Sequence, residues 1–232
     1  MRPRAALGAL EVALATVLWI ALCVGWSVLT LTVPVYTSAL TQALGVPSSS
    51  GLSAVDVVHL SSEVRALVAD SEYDPLPATW KGLPAFDRAA VSHLLDVRAV
   101  ISGARLASGL AALLLAAYVT ACIAWRRLPR LRAGMHAAAL SLTVVVVLAV
   151  IAAFSDFETL FASFHGLFFA NGTWTFPADS MLIRLFPEPF WIASGACWAV
   201  LVLLCAAVLG FAGSRLAPAQ KSVGASRTAQ NV

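Results

Sequence analysis

Apolar residues gather into four runs, at 5–33, 101–125, 135–154 and 190–211. Each is long enough to cross about 30 Å of hydrocarbon as a helix, which takes roughly 20 residues. Lipid offers no partner for backbone N–H and C=O groups, so each run must be helical. The pattern predicts an all-α membrane protein: one domain over residues 1–211 with four transmembrane helices, and outer loops at 34–100 and 155–189 that carry structure of their own. A tail at 212–232, rich in Ala, Ser, Gln and Lys, is expected to be disordered. The first run follows Met1-Arg2-Pro3-Arg4 and exceeds the roughly 7–15 apolar residues of a signal peptide, so it reads as a retained anchor.

The first outer loop is too long to be a bare connector. From Leu52 onward, Val57, Leu60, Val64, Leu67 and Val68 recur at helical spacing, which predicts an amphipathic helix on the bilayer or on the bundle. Val46-Pro47-Ser48-Ser49-Ser50-Gly51 reads as the punctuation before it, and the Pro-rich stretch 74–84 excludes a regular helix there. Asp87 is a plausible N-cap for a helix that runs without interruption into the second span. At 1.5 Å per residue, 87–125 would extend about 58 Å, lifting His93 and Asp96 clear of the hydrocarbon. In the second loop, Asn171-Gly172 between aromatic and β-branched residues carries the signal of a type I′ hairpin, and a short re-entrant turn would use the same residues.

Composition agrees with a bilayer: 60% of residues are hydrophobic and 12% charged, against about 25% charged in soluble domains. The net charge of +3 comes from basic residues beside apolar runs, not from a basic stripe alternating with aromatics, so lipid is the expected contact and nucleic acid is not. Arg2, Arg4, Arg126, Arg127, Arg130, Arg132, Arg215, Lys221 and Arg227 fall on one side of the four spans, while eleven of the twelve acids fall on the other. By the positive-inside rule both termini are cytoplasmic and the acidic loops face outward. Cys23, Cys122, Cys197 and Cys205 all lie in apolar runs and read as packing residues, which leaves no outward thiol nucleophile.

His93 and His165 are the two imidazoles that flank membrane helices on the outer side, and their connections allow them to meet at the mouth of the bundle. An imidazole exchanges protons near neutral pH, as a general acid or base must. The alternative for each is an ordinary hydrogen-bonding residue. Asp96 would orient His93 or balance Arg98. Glu188 would orient His165 or sit on the surface before the last helix. Arg105, inside the outer end of the second span, is either functional or snorkels to the interface. A zinc centre built on the two histidines and Asp96 lacks the paired His spacing such sites use, and no G-x-S-x-G is present, so neither a metal nor a cofactor is expected.

The run Phe164-His165-x-Leu167-Phe168-Phe169, then Trp174-x-Phe176, then Leu182-Ile183-x-Leu185-Phe186-Pro187-Glu188-x-Phe190-Trp191, resembles the signature of the bacterial lipoprotein intramolecular transacylase family. His93-Leu94-x-Asp96-Val97-Arg98 is similar to its second motif. This chain departs from the pattern in having Leu94 where the family favours Met, and Ile192-Ala193-Ser194 where an acid is expected. The resemblance implies a multi-pass protein of the bacterial cell membrane whose extracytoplasmic site moves the sn-2 acyl chain of a diacylglyceryl-modified lipoprotein onto the amine of its N-terminal cysteine. Donor ester and acceptor amine belong to one molecule, so orientation replaces a covalent nucleophile. In that reading His165 takes a proton from the amine, and His93, oriented by Asp96, protonates the leaving oxygen or holds the oxyanion, with the two roles exchangeable. Asn171 is a further oxyanion donor, and Phe164, Phe168, Phe169, Trp174, Phe176, Trp191 and Arg105 hold the substrate. The alternative is a non-enzymatic membrane protein that binds lipids or partner proteins through its outer aromatic loop.

Overall fold

The computed structural model describes residues 3–216, with side chains from residue 6 onward. In chain order, α1 is Pro3–Thr30, α2 Pro34–Ala43, α3 Val46–Ser50, α4 Ala54–Ala69, β1 Thr79–Trp80, β2 Leu83–Pro84, α5 Arg88–Ala124, α6 Leu128–Ser155, α7 Phe157–Phe168, α8 Met181–Leu185 and α9 Glu188–Arg215. Four of these, α1, α5, α6 and α9, are long and apolar enough to cross a membrane. At most 22% of the residues in the apolar window of each lie buried, because the remaining faces meet lipid.

The spans alternate in direction. Glu11 near the start of α1 pairs with Arg130 near the start of α6 and with Arg127 just beyond the end of α5, and His136 early in α6 packs on Gly213 late in α9. Their shared core holds Cys23, Cys122, Leu131, Met135, Leu142, Val146, Val202 and Leu209. Where α1 crosses α5, a Cβ on Gly25 would lie 1.9 Å from Ser108 Oγ, so glycine there permits the close approach.

A second core sits over the loop-bearing end. Val57, Leu60, Val64 and Leu67 of α4 pack with Val46, Phe86, Leu94, Leu182, Leu185 and Phe190, so the amphipathic helix rests on protein. Ser53 caps α4 by accepting from the Asp56 backbone N–H, while Lys81 Nζ and Ser53 Oγ donate to the Asp56 carboxylate at 2.8 and 2.7 Å. Those bonds, led by the one from Lys81, hold the Asp56 carboxyl down at about 2. At the other end of α4, Arg98 donates to the carbonyls of Leu67, Asp70 and Ser71, and Arg105 to that of Ala69 at 2.6 Å. Two arginines of α5 thus satisfy the orphan carbonyls of a helix C-terminus and complement its dipole.

Several local expectations are corrected. Val46–Ser50 forms a short helix with Gly45 and Gly51 in the left-handed region at its ends, at φ 66° and 69°. The hairpin lies in the Pro-rich stretch, where Lys81 (φ 50°) and Gly82 (φ 81°) make the two-residue turn between Trp80 and Leu83. Asn171-Gly172 joins no strands: only Gly172 has positive φ, at 83°, and Thr173 donates to the Ala170 carbonyl, the pattern of a type II turn. The 5–33 and 135–154 spans become α1, ending at Thr30, and α6, beginning at Leu128, so Arg130 and Arg132 belong to a helix and the α5–α6 link is only residues 125–127. Helix α9 begins at Glu188 and continues to Arg215, which makes the start of the expected tail helical; residues 217–232 lie outside the described residues. The uninterrupted helix expected from Asp87 is present, with Asp87 accepting from the Ala90 N–H at 2.8 Å.

Arg98→Ala strands the carbonyls of Leu67 in the last turn of α4 and of Asp70 and Ser71 just after it. Thermal unfolding in detergent should fall by about 1–3 kcal/mol, with faster amide exchange at residues 66–71, and unchanged exchange there would show that Arg98 does not hold α4.

Candidate active site

Helix α5 has 37 residues, about 55 Å at 1.5 Å per residue, while hydrocarbon is about 30 Å thick. Its apolar span begins near Ile101, so the first turns stand above the membrane and carry His93. The second imidazole arrives on α7, which begins directly after α6. Asp156 ends α6 and caps α7 by accepting from the Thr159 N–H at 3.0 Å. On α7 nearly every side chain is exposed or half-buried, and His165 alone is buried. Phe164 and Phe168 are 54% and 50% exposed, the proportion expected of a helix lying in the interface with one face toward acyl chains.

The two rings meet. Their centroids are 6.3 Å apart and stacked at 30°, with His93 7% and His165 8% exposed. Aromatic rings enclose them: Phe169 and Phe176 stand 4.9 and 5.6 Å from His93, and Phe161 and Trp174 lie 4.0 and 4.9 Å from His165. Trp191 packs on Phe161 at 5.8 Å while its indole donates to the Phe186 carbonyl.

Hydrogen bonding assigns protons. His165 Nδ1 lies 2.9 Å from the Phe161 carbonyl, one helical turn earlier. A carbonyl only accepts, so Nδ1 carries the hydrogen and Nε2 keeps its lone pair in the neutral ring. Two buried polar atoms in the cage, His93 Nδ1 and Trp174 Nε1, have no protein partner. Burial pushes both imidazoles below their ordinary range. His165 lowers His93 further while the Asp96 charge opposes, and the Phe161 bond partly opposes the shift of His165.

The other candidates divide. Phe164, Phe168, Phe169, Trp174, Phe176 and Trp191 lie in or beside the cage. Asp96 is exposed and makes no hydrogen bond to His93. Asn171 and Glu188 are exposed with no side-chain hydrogen bond among the described residues, and Glu188 sits in the first turn of α9, where a carboxylate complements the dipole. Arg105 is committed to the end of α4. Among the described residues no three His, Cys, Asp or Glu side chains come together as metal ligands. Phe161, whose carbonyl sets the His165 tautomer, was not singled out from the sequence; its i−4 spacing carries that meaning only once 157–168 is known to be helical.

Residues 12–191, which include both histidines and the cage, match the family described as Lipoprotein intramolecular transacylase Lit. The chain belongs to the lipoprotein intramolecular transacylase family. An in meso structure of the membrane integral transacylase Lit from Bacillus cereus is similar with a TM-score of 0.78 at 11% identity, over 91% of this chain and 96% of that one. Two structures of Bacillus cereus Lit carrying a His-to-Arg and a His-to-Ala substitution give TM-scores of 0.70 and 0.71 at 14% and 15% identity, over 92% of this chain and 93% and 94% of theirs. No curated protein matches the chain. At such identities the likeness carries the fold of a transacylase, a multi-pass membrane protein.

Because burial depresses both imidazoles, each should titrate below the ordinary 6.5 by nitrogen NMR and be neutral at pH 7. The folded state then binds fewer protons than the unfolded one, so these groups weaken the fold as pH drops below 6.5. A midpoint above 6.5 for either ring would overturn this.

Proposed function

We propose that this transacylase catalyses an intramolecular O-to-N acyl shift on diacylglyceryl-modified lipoproteins, carrying the sn-2 acyl chain to the α-amine of the N-terminal cysteine and leaving a lyso-form lipoprotein. The observation that supports it most is the pair of buried imidazoles, brought together from α5 and α7 inside an aromatic cage. Arg126, Arg127, Arg130, Arg132 and Arg215 crowd the opposite end of the bundle, which supports a cytoplasmic location for that end and for both termini. The cage then faces outward, at the depth where lipid esters lie.

The amine, with a reference pKa of about 7.7–8.0, attacks the ester carbonyl as the neutral species. The N–C bond forms and its surplus proton passes to His165 Nε2, the ring position that the Phe161 carbonyl leaves unprotonated. The C–O bond to glycerol then breaks, and the imidazolium returns that proton to the leaving oxygen, so the proton balance closes on one side chain. His93, neutral, and the unpartnered indole N–H of Trp174 suit the developing oxyanion. With Asp96 and Asn171 exposed, this assignment replaces the orienting carboxylate and amide donor expected from the sequence. The rings around the site exclude the water that would otherwise hydrolyse the ester, and Phe164, Phe168 and Phe169 offer apolar surface to the acyl chains.

Co-expression with a lipoprotein in a host lacking other N-acylating enzymes, followed by mass spectrometry of the lipopeptide, tests the reading. An N-acyl lyso-form is expected, and an unchanged diacylglyceryl peptide with a free amine would sink it. His165→Ala should lower turnover by about 10²–10⁴-fold with the protein still folded in membranes. Trp174→Phe, which keeps the ring and removes one donor, should cost about 10²–10³-fold in kcat if the indole meets the oxyanion, and almost nothing if it serves only as a wall.

A further inference from the structure

At the end of the bundle opposite the histidines, α6 and the end of α9 enclose a groove of about 280 Å³ lined by Pro129, Arg132, Ala133, His136 and Leu216. The groove depends on a glycine: a Cβ on Gly213 would lie 3.2 Å from His136 Nε2, so a larger residue would press on the imidazole that forms its wall. Arg132 is exposed, and among the described residues its one side-chain bond is a long 3.5 Å contact from Nε to His136 Nε2. If Nε2 accepts, His136 Nδ1 carries the hydrogen, and among the described residues neither that N–H nor the Nη groups of Arg132 have a hydrogen-bond partner. Glu11 is the one acid at this end among the described residues, and Arg130 and Arg127 already engage it. A guanidinium fork beside an imidazole N–H, in a region with surplus positive charge, matches phosphate oxygens.

The surface below the groove is apolar. Arg132 and His136 lie one turn apart on α6, and helical spacing continues the same stripe through Leu140, Thr143, Val147 and Val150, all exposed, with the Thr143 hydroxyl already tied to the Ala139 carbonyl. A free phosphate has no use for that stripe, whereas a phospholipid would set its headgroup in the groove and lay an acyl chain along it. We infer that this groove is a binding site for the phosphate of an anionic phospholipid in the leaflet at the arginine-rich end, separate from the transacylation site and independent of the reaction assigned there.

The full-length protein, purified in a zwitterionic detergent, is offered phosphatidylglycerol, phosphatidylcholine or inorganic phosphate, and bound species are counted by native mass spectrometry. Wild type should retain one phosphatidylglycerol at least about tenfold more tightly than phosphatidylcholine, and millimolar inorganic phosphate should not displace it. Arg132→Gln and Ala133→Trp, the second filling the groove without changing charge, should each lower retention by about tenfold or more. Arg126→Gln, which removes an equal charge outside the groove, should not. Equal loss with Arg126→Gln would mean diffuse surface attraction, displacement by inorganic phosphate would mean a free-anion site, and full retention by Ala133→Trp would mean that the groove is unused; each overturns the inference. Should Arg132→Gln fail to fold, Ala133→Trp against Arg126→Gln carries the comparison.

Discussion

The unbroken backbone hydrogen-bond ladder of α5 is the constraint on which the rest of the molecule depends. Hydrocarbon requires a helix through its full thickness, and nothing between Asp87 and Ala124 interrupts this one, so the surplus turns project as a rigid post. That post carries His93 on one face, and on others Leu94, which enters the core of the loop domain, and Arg98 and Arg105, which close the end of α4. A single helix therefore sets the height of the imidazole and anchors the domain over it.

The second histidine is held differently. Helix α7 buries only His165 and leaves phenylalanines open to lipid, so its position rests on the short cap at Asp156 and on the aromatic contacts around the ring. Joining a long post to a helix with exposed phenylalanines brings the two imidazoles together at the end of the bundle that carries the outer connections. Burial of both rings has an electrostatic consequence: each favours the neutral form, and the Phe161 carbonyl selects the tautomer that leaves a lone pair on His165. Rings that favour the neutral form inside an aromatic cage match the proton transfer proposed for them.

The two ends of the bundle divide labour by charge. Eleven of the twelve acids and three of the four histidines gather at the end that carries the outer connections, while five arginines gather at the other among the described residues, together with Glu11 and with His136, which lines a groove beside Arg132. Among the described residues that end carries more positive charge than its one acid, Glu11, can balance.

Much of this was determined by the sequence alone. Long apolar runs dictate spanning helices because lipid leaves the backbone no other solution, and the Asp87 cap with no proline after it dictates the continuous α5. The 3.6-residue recurrence in α4 marked its buried face, and the density of aromatics near His165 along the chain anticipated the rings that surround it. Tertiary structure alone decided which polar groups meet. Asp96 lies one turn from His93 along the helix, yet its carboxylate is exposed; Asn171 carries the letters of a hairpin, yet the residues around it form no ladder, and the hairpin appears at Lys81-Gly82 instead. Arg105 found its partner in the Ala69 carbonyl, 36 residues earlier. Periodicity and capping act over a few residues and are written locally, whereas a partner for a carbonyl, a guanidinium or an imidazole depends on distances set only when distant segments pack.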